Sequence, residues 1–211
     1  MDYHKLQTCG KKIIGKKMSR NYKFYNPHGV YFVSFATVGW IDVFTRPAYK
    51  NIIVENLNYC IENKGLQIYA WVIMTNHVHL LMSSETHNCA DILRDFKKFT
   101  SKALIKEISE NIHESRRKWM LYIFEQAGQK NSNNTKYQFW QQHNQPIDLC
   151  KDILRLDNAV KYIHENPVKA GFVDKIENYP YSSAVDYAGN KGMIRLEKIL
   201  LPQVADLRQN K

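Results

Sequence analysis

"WVIMTNHVHLLM", residues 71–82, decides the fold of this chain. It belongs to two runs, "LQIYAWVIM" (66–74) and "HVHLLM" (77–82), that read as strands, with "TN" (75–76) left over as a tight turn. Two strands joined by so short a turn must pair antiparallel. Side chains alternate across a strand, so His77 and His79 project from one face while Val78 and Leu80 project from the other. Same-face neighbours lie roughly 6.6–7 Å apart at the Cα, close enough for two imidazoles to turn toward one metal ion. By itself an H-x-H pair is more often two hydrogen-bonded rings on a half-exposed sheet. Its meaning depends on a partner elsewhere in the chain.

Working outward, "VYFVSFATVG" (30–39) is a strand closed by Gly39. "TRPAYKNIIVENLNYCIENKG" (45–65) is a helix, with Pro47 in its first turn and Gly65 at its end. Its apolar stripe is Ile52, Ile53, Leu57, Cys60 and Ile61. Asn88 to Glu110 is a second helix, whose stripe is expected to be Ile92, Phe96, Phe99 and Ala103. On another face Arg94, Lys98, Lys102 and Lys106 recur every fourth residue, either a solvated surface or a row of phosphate contacts. Residues 127–138 are polar and aperiodic, a surface loop, and "FWQQHN" (139–144) is the candidate fourth strand. "DNAVKYIHENPVKAG" (157–171) is a helix with Asp157 near its start and Pro167 just beyond its end, which places Asn166 at the terminus. "YPYSSAVDY" (179–187) and residues 195–211 read as a loop and a short helical tail.

The order strand, helix, strand, strand, helix, strand matches the split βαβ, ferredoxin-like (RRM-like) plan of the α+β class. Two helices would cover one face of an antiparallel sheet and leave the other free for a ligand. The expected divisions are a basic arm (1–24), one domain (25–187) and a C-terminal tail (188–211).

Length and composition fit that plan. A chain of 211 residues, 44% hydrophobic and 24% charged, can bury a core as one domain. No apolar run approaches the roughly 20 residues of a membrane span. The N-terminus lacks the apolar core of a secretion signal, so a cytoplasmic, nucleoid-associated protein is expected. Cys9, Cys60, Cys89 and Cys150 make no CxxC pair and no zinc-ligand spacing, and read as reduced thiols. The net charge of +10 suggests a polyanionic partner, most often nucleic acid, although an anionic membrane surface or plain solubility also fits. Lys5, Lys11, Lys12, Lys16, Lys17, Arg20 and Lys23 stand against Asp2 alone in the first 28 residues, as a solvated arm that can also tether phosphate.

The partner for the histidines lies in "YIHENPVKAG" (162–171). Tyr162 and Asn166 are four apart on a helix and share a face, about 6 Å apart along the axis. Tyrosine can act as a covalent nucleophile, and an asparagine carbonyl is a hard oxygen ligand. A helical tyrosine is also a common packing residue. His164 lies about 200° around the helix from Tyr162 and points elsewhere. Glu165 reads as a surface charge, His87 as a solvent-facing loop residue and Lys169 as a candidate phosphate contact. Of Trp71, Tyr69, Phe32 and Phe35, roughly half should be core and the others could stack on unpaired bases.

"NHVHLLM" followed by "YIHENPVKAG" resembles the HUH single-tyrosine transposases, in particular the REP-associated type. The resemblance runs over roughly residues 25–187 and includes "YFVSFATVGW", "LYIFEQAGQKN…KYQFWQQHNQPIDL" and "YPYSSAVDY". Thr75 stands where the family usually has proline, a position expected only to shape the turn. The family often has acidic and histidine residues in the block that reads "QQHNQP" here, which leaves any contact by His143 or Gln145 open. The resemblance implies that Tyr162 is the nucleophile and that His77, His79 and Asn166 hold a divalent metal, Mg²⁺ or Mn²⁺. The donor set alone would also suit zinc. It further implies single-stranded DNA with palindromic hairpins as partner, cut and rejoined through a 5′-phosphotyrosine. Arg94, Lys98, Lys102 and Lys169 are the candidate DNA contacts. Two rival readings are a domesticated DNA- or RNA-binding protein that no longer cuts, and a phosphodiesterase using water with Tyr162 as packing. Monomer or homodimer, and a site completed within one chain or between two, both remain open at this level.

Overall fold

The computed structural model describes residues 24–26, 29–131, 136–142, 144, 146–149 and 152–197. The basic residues of the N-terminal arm, His143, Gln145, Cys9, Cys150 and residues 198–211 of the expected tail lie outside them. Strand β1 (Tyr31–Ala36) is followed by helix α1 (Pro47–Lys64) and by the hairpin of β2 (Leu66–Ile73) and β3 (His77–Ser84). Then come α2 (Cys89–Glu110), α3 (Arg117–Gln129), β4 (Ile147–Asp148), α4 (Ile153–Lys169) and the short α5 (Ala184–Tyr187). The sheet order β2-β3-β1-β4, antiparallel throughout, is the ferredoxin-like arrangement.

The hairpin closes as its sequence demands, with the Met74 amide donating to the His77 carbonyl at 2.9 Å around Thr75 and Asn76. Register then sorts the side chains. Phe32, Ser34 and Ala36 stand opposite Leu81, His79 and His77 on one face, and Val33 and Phe35 stand opposite Leu80 and Val78 on the other. Helices α1 and α2 cover the second face, where the rings of Phe35 and Phe96 meet edge to face at 5.9 Å. Gly65 ends α1 in the left-handed conformation (φ 64°), its amide bonded to the Cys60 carbonyl. A Cβ there would come within 2.5 Å of Thr86 Oγ1, so glycine is required twice over.

Six expectations change. The histidine face is not left bare, because α4 packs across β2 and β3 on that side. The fourth strand is Ile147–Asp148, and "FWQQHN" contributes only a bridge from Trp140 to Thr37. Helix α3 takes in residues 127–129 of the expected loop. Pro167 sits inside the last turn of α4, so Asn166 is helical and not terminal. Phe99 is 63% exposed, the stripe of α2 passing instead through Ile92, Leu93, Phe96, Thr100, Leu104 and Ile108. The described part of the tail, 188–197, is not helical.

Candidate active site

Strand β3 delivers His77 and His79 to the same face, and α4 lays Tyr162 directly against them. The two imidazole centroids are 4.7 Å apart, and the Tyr162 ring meets His79 edge-on at 5.3 Å. Phe32, from the neighbouring strand, stacks on His79 at 5.4 Å and touches Tyr162 at 5.9 Å, closing the cluster on its apolar side. Tyr162 and the paired rings thus meet within one and the same chain.

His79 is 5% exposed, and neither of its ring nitrogens has a hydrogen-bond partner among the described residues. Buried polar atoms are nearly always satisfied, so both nitrogens stand available to a further group. Burial, and then the adjacent His77 ring, hold the His79 imidazole well below its ordinary titration range. Burial likewise brings His77 down to about 4, against a smaller opposing pull from Asp42. Both rings are therefore neutral at neutral pH, the form that offers a lone pair to a metal.

The tautomer of His77 follows from its neighbour. Asn76 spends its amide nitrogen on the Trp40 carbonyl (3.2 Å) and on Asp42 Oδ1 (3.0 Å). Its oxygen lies 2.7 Å from His77 Nδ1 and must accept from it. Nδ1 carries the proton, and Nε2 is left with the free pair. Thr75 Oγ1 adds a 2.6 Å bond to the same Asp42 oxygen. Thr75 therefore does more than shape the turn.

Asn166 bonds back onto its own helix, its amide nitrogen donating to the Tyr162 carbonyl at 2.8 Å. That leaves the amide oxygen as the end able to meet a cation. The donor set of His77, His79 and the Asn166 oxygen suits a divalent metal that also takes phosphate oxygens.

The remaining candidates separate. His164 faces away from the site, as expected: it is buried, 2.9 Å from Ser183 Oγ and edge-on to Tyr187. His87 is exposed and bonds Thr86. Glu165 pairs with Lys161 and Lys169, so Lys169 has a carboxylate partner. Trp71 and Phe35 are core, whereas Phe32 and Tyr69 are only partly buried. Arg94, Lys98 and Lys102 lie exposed on α2, in the layer across the sheet from Tyr162. Arg94 is paired with Asp91 and Asp95, whereas Lys98 and Lys102 have no ion-pair partner among the described residues.

Residues 40–137 match the family model described as "Transposase IS200 like". The chain is similar to REP-associated tyrosine transposases. A Haemophilus influenzae protein assigned that name is 28% identical over 124 residues, covering 58% of this chain and 61% of that protein. The chain thus spans less than two thirds of the relative's length. A solved structure described as a REP-associated tyrosine transposase bound to a REP hairpin superposes with a TM-score of 0.57 at 18% identity. That likeness covers 86% of this chain and 93% of the other, and establishes the shared fold. The family match stops at residue 137, before Tyr162, so the tyrosine joins the histidines here through geometry. Sequence reading missed Asn76, Asp42 and Trp40; the polar residue just before His77 was the available signal.

Proposed function

We propose that this protein is a metal-dependent single-stranded DNA strand transferase acting at hairpins through a 5′-phosphotyrosine. The observation that carries the reading is the Tyr162 ring packed on His79, beside a second imidazole whose Nε2 is free.

His77, His79 and Asn166 would hold the divalent cation, which when bound supplies Lewis-acid stabilisation of charge on phosphate and on the departing oxygen. Asn76 keeps the His77 ring turned with its lone pair outward. Phe32 and the rest of the sheet face keep water from one side of Tyr162. The Tyr162 oxygen loses its proton and attacks phosphorus, forming the P–Oη bond as the bond to the 3′-oxygen breaks. The released 3′-oxygen takes up a proton, and the 5′-phosphate stays on the tyrosine. Attack by another 3′-hydroxyl reverses the exchange and frees Tyr162, so strands rejoin without an external energy source. Lys98 and Lys102 are proposed contacts for duplex or flanking phosphates, with Arg94 and Lys169 contributing once they exchange their carboxylate partners.

Incubation with Mg²⁺ or Mn²⁺ and labelled hairpin-bearing single-stranded DNA should give an adduct that survives denaturation. Tyr162→Phe should give none; an equal yield from that variant removes the nucleophile assignment. His77→Ala and His79→Ala should lose cleavage by at least about 100-fold while keeping DNA affinity, since phosphate contacts dominate binding. Multiple-turnover hydrolysis without adduct would favour a water-using phosphodiesterase instead.

A further inference from the structure

We propose that Trp40 is a stacking platform for an unpaired base at the mouth of the Tyr162 site, an inference that rests on single-stranded DNA being the substrate. Trp40 ends the 3₁₀ turn Val38–Trp40 between β1 and α1, and the residue is 58% exposed. It is also the one described non-glycine residue with a positive φ, at 55°. A bulky side chain in the left-handed region is strained, and such strain persists where the surroundings enforce it and function uses it. Here the surroundings do enforce it. The Trp40 amide donates to the Thr37 carbonyl at 3.1 Å, and its carbonyl accepts from Asn76.

What the strain achieves is placement. The indole meets the His77 ring edge-on with centroids 6.0 Å apart, while the residue as a whole is more than half exposed. Burial does not account for it, because it is no part of the core cluster. Asn76 ties the indole's backbone and the His77 ring to one amide, so platform and histidine move together. A flat, rigid, solvent-facing aromatic ring beside a phosphodiester site is suited to a nucleobase one step from the reacting phosphate. Base stacking of this kind tolerates any sequence, because every base has a π-face. The net charge of +10 supplies the backbone attraction that brings the strand there.

The test needs neither metal nor cleavage. Binding of an oligo(dT) of about 20 nucleotides is measured in EDTA by indole fluorescence and by anisotropy, beside an abasic oligomer of the same charge. Wild-type fluorescence should be quenched by oligo(dT) but not by the abasic strand. Trp40→Phe should remove most of that quench, and Trp119→Phe, which deletes the other exposed indole, should keep it. Trp40→Ala should weaken oligo(dT) binding about 5- to 150-fold with Trp40→Phe near wild type, and all should bind the abasic strand alike. Trp40→Gly should raise Tm, since glycine accepts the left-handed backbone, while losing affinity as alanine does. Unchanged oligo(dT) affinity in Trp40→Ala, or a quench that survives Trp40→Phe, overturns the proposal. An absent Tyr162 adduct alongside Trp40-dependent binding would instead count against the strand-transfer reading alone.

Discussion

Asn76 satisfies three groups with one amide, the Trp40 carbonyl, the Asp42 carboxylate and the His77 ring. Its replacement by alanine frees His77 to rotate and to exchange tautomers. Outer partners of metal-binding histidines are typically worth about 10- to 100-fold in metal affinity or activity. Asn76→Ala should therefore show weaker Mn²⁺ binding by calorimetry and slower adduct formation within that range, with DNA affinity falling much less. Unaltered metal affinity would mean that the imidazole is held by packing against His79 and Trp40 rather than by the amide.

At the scale of elements, two devices hold the parts that carry the site. The first is the seam between α4 and the edge of the sheet. Residues 181–183 run along β2, with Ile73 donating to the Tyr181 carbonyl and Ser183 to the Trp71 carbonyl. Ser183 Oγ accepts from the Trp71 amide at 2.9 Å and meets His164 Nε2 at 2.9 Å. His164 is two residues from Tyr162, so this buried seam sets where the tyrosine helix lies. Ser183→Ala leaves a buried ring nitrogen and a buried amide unsatisfied, at a cost of about 1–3 kcal/mol. Urea unfolding should show that loss.

The second device is the clamp around Glu114, whose carboxylate receives Arg46, Arg116 and Tyr49. Arg116 also donates to the Asp42 carbonyl at 2.8 Å, which links the clamp to the loop behind Asn76. Burial would raise the Glu114 pKa, but hydrogen bonds from Arg116 and Arg46 outweigh it and bring the carboxyl down to about 2 from 4.5. A folded-state pKa below the unfolded one means the clamp's contribution is full above pH 4.5 and drains away as the pH falls toward 2. Glu114→Gln should flatten the acid limb of a stability-versus-pH curve over that window. A slope equal to wild type would show that other carboxylates govern it.

Over the whole molecule, the sheet separates two kinds of surface. One carries Tyr162, the histidines and Trp40; the other carries α1 and α2 with Lys98 and Lys102. No helix among the described residues is long and apolar enough to cross a membrane. The proposed role for the α2 lysines makes a separable prediction. The double change of Lys98 and Lys102 to alanine should weaken hairpin binding uniformly across sequences and reduce the salt slope by about one per lost phosphate contact. The rate of adduct formation at saturating DNA should stay as it is, because neither side chain lies on the Tyr162 side. An unchanged salt slope would confine the DNA to the histidine face.

The hairpin 66–84, helices α1 and α2, the Gly65 stop and the pairing of His77 with His79 were all legible in the sequence, because each follows from local periodicity or a single residue's backbone preference; helix α3 was not. So was the resemblance that pointed to Tyr162 and Asn166. The fourth strand was not, since a two-residue strand leaves no alternation to read, and the exposed Phe99 looked like core because helical spacing alone cannot say which apolar ring has a partner. Nor could spacing show that α4 would cover the histidine face, strip both His79 nitrogens of partners, and hold a tryptophan in a left-handed turn beside His77. Those facts arise from segments far apart in the chain meeting at one surface, and only the packing of sheet, helix and loop decides which groups are buried and which are left to bind.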